Sequence, residues 1–318
     1  MNGLNSHSSM KKQAVALCVA VVGCVLAGSM CALAAAEPAF AFREVNNGTG
    51  LELLENGKPV YVYNFGMILA PGAPERLRRS SYLHPVYGPD GTVLTDDFNR
   101  DHPHHRGIFW AWEVVTVNDK TDDMWTVKGF KHRFVRWHAR ETNGPLARLA
   151  VENGWYDGER KFVKEEVEIL AHPASAKERI LDFTLSFDAL DQPVVIVGTP
   201  DSRKGYGGFA FRTAPRDGGA AQTLIRTDKG VSEQDGVLSR HPWAEIAGRF
   251  NGREAGVRVE DNPANPGYPT NGWLMRHSFA LLNVSYPGLE PVTLQPGKPL
   301  VLKYRVILFA GKTARSGS

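Results

Sequence analysis

Four histidines lie close together in this 318-residue sequence, at positions 84, 102, 104 and 105. The last three belong to the string DHPHHRG at 101–107, which also contains an acidic and a basic side chain. Histidine is the side chain best suited to proton transfer near neutral pH, and it also binds metals. The stretch from His84 to Glu113 is therefore the first candidate for an active region.

The spacing of the histidines indicates on which side of the backbone each one lies. In an extended segment His102 and His104 lie on one side of the backbone and His105 on the other. Pro103 has no N–H to donate, which fits a sheet edge or a loop that enters a strand. We predict that His104 or His105 is a general acid or base, with His102 beside them. Arg106 is predicted to hold a substrate oxygen or stabilise an oxyanion.

An aromatic segment follows at 108–113, with the sequence IFWAWE. Trp110 and Trp112 share one face of an extended strand, and Glu113 lies on the other. Indole rings beside charged groups suit a sugar, because its C–H faces pack on the ring and its hydroxyls accept charged hydrogen bonds. The alternative is that both tryptophans belong to the core. Glu113 and Asp97 are possible partners of the histidines.

A second region is expected to join the first. The proline-rich loop at 261–270 contains Tyr268 and leads to Arg276 and His277. A structured loop of this kind often lines a site, although it can also simply cross one end of the fold. Arg276 and His277 point in opposite directions if extended, so one of them is expected to reach the pocket. His277 is a further catalytic candidate. The predicted substrate-binding residues are His84, Tyr87, Asp97, Trp110, Trp112, Tyr268 and Arg276.

A metal ion is possible but not required by the sequence. His102 and His104 are two residues apart, and such a pair on a strand can share a divalent ion. A cupin would place a glutamate a few residues later, whereas the first one here is Glu113. The cofactor therefore stays open, with His102 and His104 as the ligands if a metal binds.

The first 36 residues resemble a secretory signal peptide. Lys11 and Lys12 precede an apolar run that ends in small residues at Ala36, which is typical of a cleaved leader. A membrane anchor and lipoprotein processing at Cys24 are the alternatives. All three cysteines lie in this segment. We predict an exported protein, periplasmic or extracellular, with one domain at 37–318.

The rest of the chain carries almost no net charge. The leader holds two lysines and no acidic residue, so 35 basic and 34 acidic residues follow it. This balance does not favour nucleic acid or an anionic membrane as a partner. No later apolar run approaches 18 residues, so no membrane-spanning partner is implied.

The pattern after residue 36 predicts an all-β fold. Asn56-Gly57 between two apolar runs indicates a hairpin, and the segments at 134–142, 146–156 and 161–170 read as a meander. An apolar residue occupies every second position within 180–188 and 300–308, as in half-buried strands. We predict one large antiparallel β-sandwich. The glycine-rich segment 200–219 is expected to be a surface loop.

Parts of this sequence resemble two known families. The strings YLHPVY at 82–87, DHPHHRGI at 101–108 and NPANPGYPT at 262–270 resemble a bacterial family labelled PmoA-like. That label refers to a methane oxygenase subunit, a multi-span membrane protein, and we exclude this function because no spanning run follows the leader. The end of the chain, from LQPGKPL at 294–300, is more weakly similar to galactose-mutarotase-like sandwiches. This second resemblance implies a supersandwich with a carbohydrate site, but it assigns no residue a role.

The leading hypothesis is therefore an exported carbohydrate-active enzyme that uses histidine acid–base chemistry on a sugar or glycoside. Epimerisation, β-elimination and hydrolysis all need proton transfer, so the sequence does not choose among them. The alternative is a non-catalytic periplasmic protein that binds carbohydrate. In either case the expected partner is a carbohydrate or glycoside ligand.

Overall fold

The computed structural model describes residues 39–269 and 272–312. The chain divides into two units, Met1–Ala36 and Glu37–Ser318, and all described residues belong to the second. The predicted signal peptide lies outside the described residues and stays a prediction. Within the described ranges no helix is both long enough and apolar enough to cross a bilayer.

The described residues form β-strands joined by turns, with three short 3-10 helices and no α-helix among them. The strands of the first half are β1 (Phe40–Val45), β2 (Gly50–Glu55), β3 (Lys58–Asn64), β4 (Tyr82–Val86), β5 (Ile108–Trp112), β6 (Val114–Val117), β7 (Lys120–Asp122), β8 (Lys131–Glu141), β9 (Ala147–Asp157), β10 (Arg160–Ala171) and β11 (Glu178–Ala189). Those of the second half are β12 (Val194–Val197), β13 (Gly207–Arg212), β14 (Leu224–Thr227), β15 (Gly230–Ser232), β16 (Gly236–Ser239), β17 (Trp243–Phe250), β18 (Arg253–Asp261), β19 (Trp273–Arg276), β20 (Leu281–Ser285), β21 (Val292–Leu294) and β22 (Leu300–Ala310). The 3-10 helices are Glu75–Leu77, Asp201–Arg203 and Gly219–Gln222.

Two sheets of nine strands make up most of the fold. The first sheet has the order β1-β2-β3-β4-β5-β13-β20-β19-β16, and the second has the order β15-β14-β17-β18-β22-β11-β10-β9-β8. A smaller sheet, β21-β12-β6-β7, continues from the end of β5. The paired strands within each sheet are antiparallel. The predicted all-β fold with large antiparallel sheets is therefore confirmed.

The two large sheets pack face to face through aromatic side chains. Trp112 of β5 lies 5.3 Å from Trp155 of β9, measured between ring centroids, and 5.2 Å from Phe187 of β11. Phe209 of β13 lies 5.2 Å from Phe183 of β11. Burial of such rings is the main favourable contribution to folding. The core of this sandwich therefore lies between β5 and β13 on one side and β9 and β11 on the other.

The alternating segments behave as their pattern predicts. In β11 the residues Leu181, Phe183, Leu185 and Phe187 are at most 1% exposed. They face the first sheet, while the polar residues between them are only partly buried. The hairpin predicted at Asn56-Gly57 is also confirmed, because it joins β2 to β3 with both residues at positive φ.

One predicted loop is instead a central strand. β13 lies within the segment 200–219 and pairs with β5 on one side and β20 on the other. Its glycines allow a close backbone approach, because a Cβ on Gly208, where φ is +79°, would lie 3.0 Å from the carbonyl oxygen of Tyr286. The glycines suggested a loop to sequence reasoning, but here they serve a tightly packed strand.

Candidate functional site

The three adjacent histidines form a turn, which we call the histidine turn (101–105). The backbone N–H of His105 donates to the carbonyl of His102 at 2.9 Å, which reverses the chain around Pro103. The ring of His105 stacks on that of His102, with centroids 4.8 Å apart and planes 8° apart, and lies 4.6 Å from that of His104. The prediction that His105 points away from the other two is wrong, because a turn does not follow strand alternation.

The histidine turn forms one wall of a cavity of about 290 Å³, which we call the histidine cavity. An aromatic wall completes it: Trp125 lies 5.6 Å from the His105 ring and 5.1 Å from that of Tyr206, and Phe279 lies 4.5 Å from that of His102. The cavity is lined by His102, His104, His105, Trp125, Thr126, Lys204, Tyr206, Leu274, Arg276, Phe279 and Leu281.

The cavity lies on the face of the first sheet that points away from the second. Phe109 of β5 supports it, since its ring stacks under that of His105 at 5.7 Å. β19 of the same sheet also supplies residues to the cavity lining. Leu274 and Arg276 are two residues apart on β19 and both line the cavity, whereas the alternate residues Trp273 and Met275 do not. Strand alternation thus explains which residues of β19 reach the site.

Two of the histidines are held in their neutral form. Burial lowers the pKa of His104 to about 3, and the neighbouring His102 ring and Arg79 guanidinium lower it further. Burial also lowers the pKa of His105 well below its usual value, and His104 and Arg212 add to the effect. Because a buried imidazole surrounded by cations disfavours its charged form, both rings can accept a proton only when another charge compensates.

Arg212, at the end of β13, holds the histidine turn from behind. Its Nη2 donates to Oδ1 of Asp101 at 2.8 Å, and its Nη1 lies 3.5 Å from Nδ1 of His105. A guanidinium can only donate, so Nδ1 of His105 is the acceptor and Nε2 carries the proton. Asp101 also lies 3.1 Å from Nδ1 of His102. Burial acts to raise the pKa of Asp101, but His102 and Arg212 outweigh it and lower that pKa.

Tyr206 lines the cavity, and Glu113, which lies outside the lining, is a neighbour of its phenol. Burial, followed by the negative charge of Glu113, raises the pKa of Tyr206 to about 12. One carboxylate oxygen of Glu113, Oε2, is buried and has no hydrogen-bond partner among the described residues. The phenol therefore keeps its proton at neutral pH and is a candidate proton donor.

The predicted role of Arg106 is corrected by its position. This residue is fully buried, and its guanidinium donates to Asp97 at 3.1 Å and to the carbonyl of Leu77. It also lies 3.3 Å from the ring centroid of Phe98. These contacts fix the chain behind the histidine turn, so Arg106 and Asp97 do not reach the cavity and cannot hold a substrate oxygen there.

The predicted tryptophan shelf is corrected in the same way. Trp110 is 1% exposed and Trp112 is fully buried. Nε1 of Trp112 donates to the carbonyl of Tyr286 at 2.7 Å inside the fold. The two rings share a face of β5, as predicted, but that face packs on the second sheet. The cavity meets the Phe109 face instead, so the core alternative is the correct one.

Three further predicted residues, His84, Tyr87 and Tyr268, lie outside the histidine cavity. Nδ1 of His84 contacts the hydroxyl of Thr95 at 3.0 Å, and burial lowers the pKa of His84. Tyr87 is half-buried and makes an isolated bridge with Val93. Tyr268 is 38% exposed. None of the three lines the cavity.

His277 and Arg276 separate as expected, with Arg276 as the one that reaches the site. Nδ1 of His277 lies 3.0 Å from the carboxylate of Asp235, and its Nε2 lies 3.0 Å from the carbonyl of Ser232. Both ring nitrogens are thus already engaged, and His277 lines a different cavity. Nη1 of Arg276 also donates to Asp235, at 3.2 Å.

No group of three or more histidine, cysteine or acidic side chains with metal-site spacing occurs among residues 39–269 and 272–312. His102 and His104 have ring centroids 5.6 Å apart and planes at 72°, and the nearest carboxylate to His102, Asp101, is already bound by Arg212. The two histidines alone therefore provide a sparse donor set for a divalent ion.

Sequence reasoning missed seven of the residues that line the cavity, and four of these offer a ring or a charge to a ligand, namely Trp125, Lys204, Tyr206 and Phe279. Lys204 and Tyr206 belong to the sequence RKGYGG at 203–208, which lacks the spacing of a phosphate loop. The signal that could have found it is an aromatic and a basic residue directly before a glycine-rich strand. The other two residues come from connections that carry no motif.

The fold and site together define the class: an all-β sandwich with a histidine cavity on one face of its first sheet. The chain belongs to the Family of unknown function (DUF6807), whose model matches residues 50–317. A search of curated proteins found no significant match.

Three solved structures show distant likeness. The GH36 alpha-galactosidase AgaA from Geobacillus stearothermophilus, in complex with raffinose, is 11% identical, with 87% of this chain and 40% of that one covered and a TM-score of 0.41. The heparan sulfate lyase HepC from Pedobacter heparinus is 8% identical, with 87% and 36% covered and a TM-score of 0.39. The GalM/aldose epimerase homologue from C. elegans is 9% identical, with 87% and 100% covered and a TM-score of 0.35.

This chain spans about two fifths of the length of the first two of these proteins. All three TM-scores lie below 0.5. The assignment of the fold therefore depends on the sheets described above rather than on these likenesses.

Proposed function

We propose that this chain is an exported carbohydrate-active enzyme that carries out acid–base chemistry on a sugar in the histidine cavity. The observation that carries the proposal is the pairing of two neutral imidazoles with a protonated phenol inside one aromatic cavity. The resemblance to PmoA-like proteins and to mutarotase-like sandwiches stays a prediction beside it. Export is proposed from the leader sequence alone.

The shape and chemistry of the cavity suit a single sugar ring. Its volume of about 290 Å³ lies at the lower end of the roughly 300–1,000 Å³ found for ligand pockets. Trp125 and Phe279 offer flat apolar surfaces to the C–H faces of a pyranose, while Tyr206 and the histidines offer polar groups to its hydroxyls. A long oligosaccharide would have to extend out of the cavity.

The proposed roles follow from the protonation states. His104 is neutral and lies at the cavity surface, so it is the proposed general base. His105 carries its proton on Nε2 and is a hydrogen-bond donor. Burial and the neighbouring Glu113 raise the pKa of Tyr206, so its phenol holds its proton at neutral pH and is the proposed general acid. Epimerisation, elimination and hydrolysis would each use such a base and acid.

The test is turnover of a panel of neutral glycosides and oxidised sugars by the purified protein, with and without divalent metal. We expect His104→Ala to lower kcat by roughly 100-fold or more, the usual contribution of a positioned acid or base. His138→Ala is the matched control, because His138 lies on the outer strand β8, away from this cavity. Absence of turnover across the whole panel would count against an enzyme.

A specific observation favours the alternative, a protein that binds a sugar without converting it. A histidine with a pKa of about 3 is a weak base at neutral pH, because catalysis is most efficient when the pKa lies near the operating pH. In that case the histidine rings serve only as flat surfaces against which the sugar packs. Replacing both His104 and His105 by alanine separates the two functions: an enzyme keeps much of its affinity and loses turnover, whereas a binding protein loses affinity only.

A further inference from the structure

The charged residues that line the histidine cavity are all basic. Lys204 and Arg276 belong to its lining, and no aspartate or glutamate does. Lys204 precedes β13 and Arg276 ends β19, so two separate segments bring a positive charge to the same space. Such an arrangement attracts an anion, because the walls exclude water and strengthen the field of the charges.

Both cations have hydrogen-bonding capacity to spare. Lys204 is half-buried, and no ion pair or side-chain hydrogen bond joins it to another described residue. Arg276 uses only Nη1, in its bond to Asp235, and its side chain is 16% exposed. An arginine has five N–H donors, so the other nitrogens are open to a ligand. A carboxylate fits this geometry, since it can accept from a guanidinium and an ammonium together.

The charges behind the cavity reinforce this field. Arg79 donates to the carbonyl of His104, Arg76 donates to the carbonyl of Thr126, and Arg212 holds the histidine turn. After burial, Arg79, Arg76 and Arg212 are among the neighbours that lower the pKa of His104, and Arg212 and Arg79 are among those that lower the pKa of His105.

The nearby carboxylates are outside the lining and have other neighbours. Asp101 is bound by Arg212, and Asp235 by Arg276 and His277. Glu113 stands beside the Tyr206 hydroxyl. The balance at the cavity surface is therefore positive.

We propose that the ligand of the histidine cavity is an acidic sugar, a pyranose that carries a carboxylate, with Lys204 and Arg276 binding that carboxylate. This inference deepens the proposed carbohydrate function and depends on it. The sugar ring would lie against the aromatic wall of Trp125, Tyr206 and Phe279. The carboxylate also supplies the negative charge that the neutral histidines lack, so the bound ligand would ease the protonation of His104 during the reaction.

The experiment is calorimetric binding of five probes: methyl glucuronide, methyl glucoside, methyl galacturonide, methyl galactoside and, as a carboxylate without a sugar ring, adipate. The wild-type protein is expected to bind at least one uronide roughly 10-fold or more tightly than the matching neutral glycoside, as hydrogen bonds to a charged group allow. Lys204→Met and Arg276→Gln are each expected to lose most of that preference while still binding the neutral glycoside. Lys229→Met is the matched control, since Lys229 is exposed, unpaired and remote from the cavity lining.

The outcomes separate the two proposals. Equal affinity for uronide and glycoside, or an unchanged preference in both Lys204→Met and Arg276→Gln, overturns the acidic-sugar inference and leaves the carbohydrate function standing. Adipate that binds as tightly as the uronides shows that a carboxylate alone is recognised, which overturns the carbohydrate function itself. Failure of every sugar to bind overturns both.

Discussion

The neutral state of His104 gives a prediction about stability as well as about chemistry. Its pKa is about 3 in the folded protein, against an ordinary value of 6.5. Between these two values the unfolded chain binds a proton at this position and the folded chain does not. By linkage, the folded state therefore loses stability as the pH falls from 6.5 toward 3.

The size of the effect follows from this difference. One pKa unit corresponds to about 1.4 kcal/mol. At pH 5 the unfolded histidine is almost fully protonated, so His104 alone lowers the free energy of unfolding by about 2 kcal/mol relative to pH 7. With a urea m value of about 3 kcal/mol/M, this is a shift of the midpoint by about 0.7 M.

The assay compares urea unfolding of the wild type and of His104→Asn at pH 7 and pH 5. The substitution removes ring contacts and lowers stability at both pH values, but it also removes the titrating group. We therefore expect the loss of stability between pH 7 and pH 5 to be about 2 kcal/mol smaller in the variant. Nitrogen-15 spectra of the histidine rings give a second readout: His104 stays neutral at pH 5, and His105 carries its proton on Nε2.

Two results would refute the reasoning. One is an equal pH dependence in the wild type and His104→Asn, and the other is an imidazolium signal from His104 at pH 5. His138→Asn is the control, because His138 lies on the outer face of β8 with its side chain 37% exposed. It contacts carboxylates rather than cations, so its replacement should not reduce the loss of stability between pH 7 and pH 5.

Three further predictions concern single residues. Tyr206→Phe removes the proposed proton donor, and we expect kcat to fall by roughly 100-fold with little change in sugar affinity, measured by steady-state kinetics and calorimetry. Glu165→Gln should lower the free energy of unfolding by about 2–4 kcal/mol, because Glu165 is fully buried and accepts from Trp155 at 2.7 Å; urea unfolding measures this. Gly107→Ala should cost more than about 3 kcal/mol, since a Cβ there would lie 2.1 Å from the carbonyl oxygen of Leu83; expression level and thermal unfolding report it.

Each of these predictions has an outcome that would contradict it, and the two stability predictions also have a matched control variant. An unchanged kcat in Tyr206→Phe would remove this residue from the mechanism. Glu166→Gln should change stability by less than about 1 kcal/mol, because that side chain is 43% exposed, and an equal effect at both glutamates would contradict the role of burial. Gly57→Ala keeps the positive φ but meets nothing within 4 Å, so it should cost about 1 kcal/mol; a similar cost at both glycines would argue against the clash.

The fold was more accessible to sequence reasoning than the site, for a physical reason. Alternation in β11 reports burial on one face of a sheet, and that signal is local. Which face of β5 meets the core depends on the partner sheet, so Trp110 and Trp112 could be paired correctly and still be assigned to the wrong side. The location of the histidine cluster was predictable because several rare side chains occur together. Its shape was not, because the turn at Pro103 places all three rings together.

The walls of the cavity were hidden because they come from distant parts of the chain. Trp125 follows β7, Tyr206 precedes β13, and Phe279 lies between β19 and β20. None belongs to a motif, and only the strand order of the first sheet brings them together. Arg106 illustrates the opposite problem, because a charged residue next to a functional turn can be buried and structural.

The strand order of the first sheet also has a consequence for the time at which the site forms. β13 pairs with β5 across a long interval of sequence, and β20 and β19, which come later in the chain, continue the sheet beyond β13. The aromatic and basic walls therefore cannot be complete until the chain extends through Leu281, the last residue of the lining. Pairing between strands that are distant in sequence is also slow. A chain still being synthesised would lack these walls, and the histidine cavity would be among the last features of the fold to form.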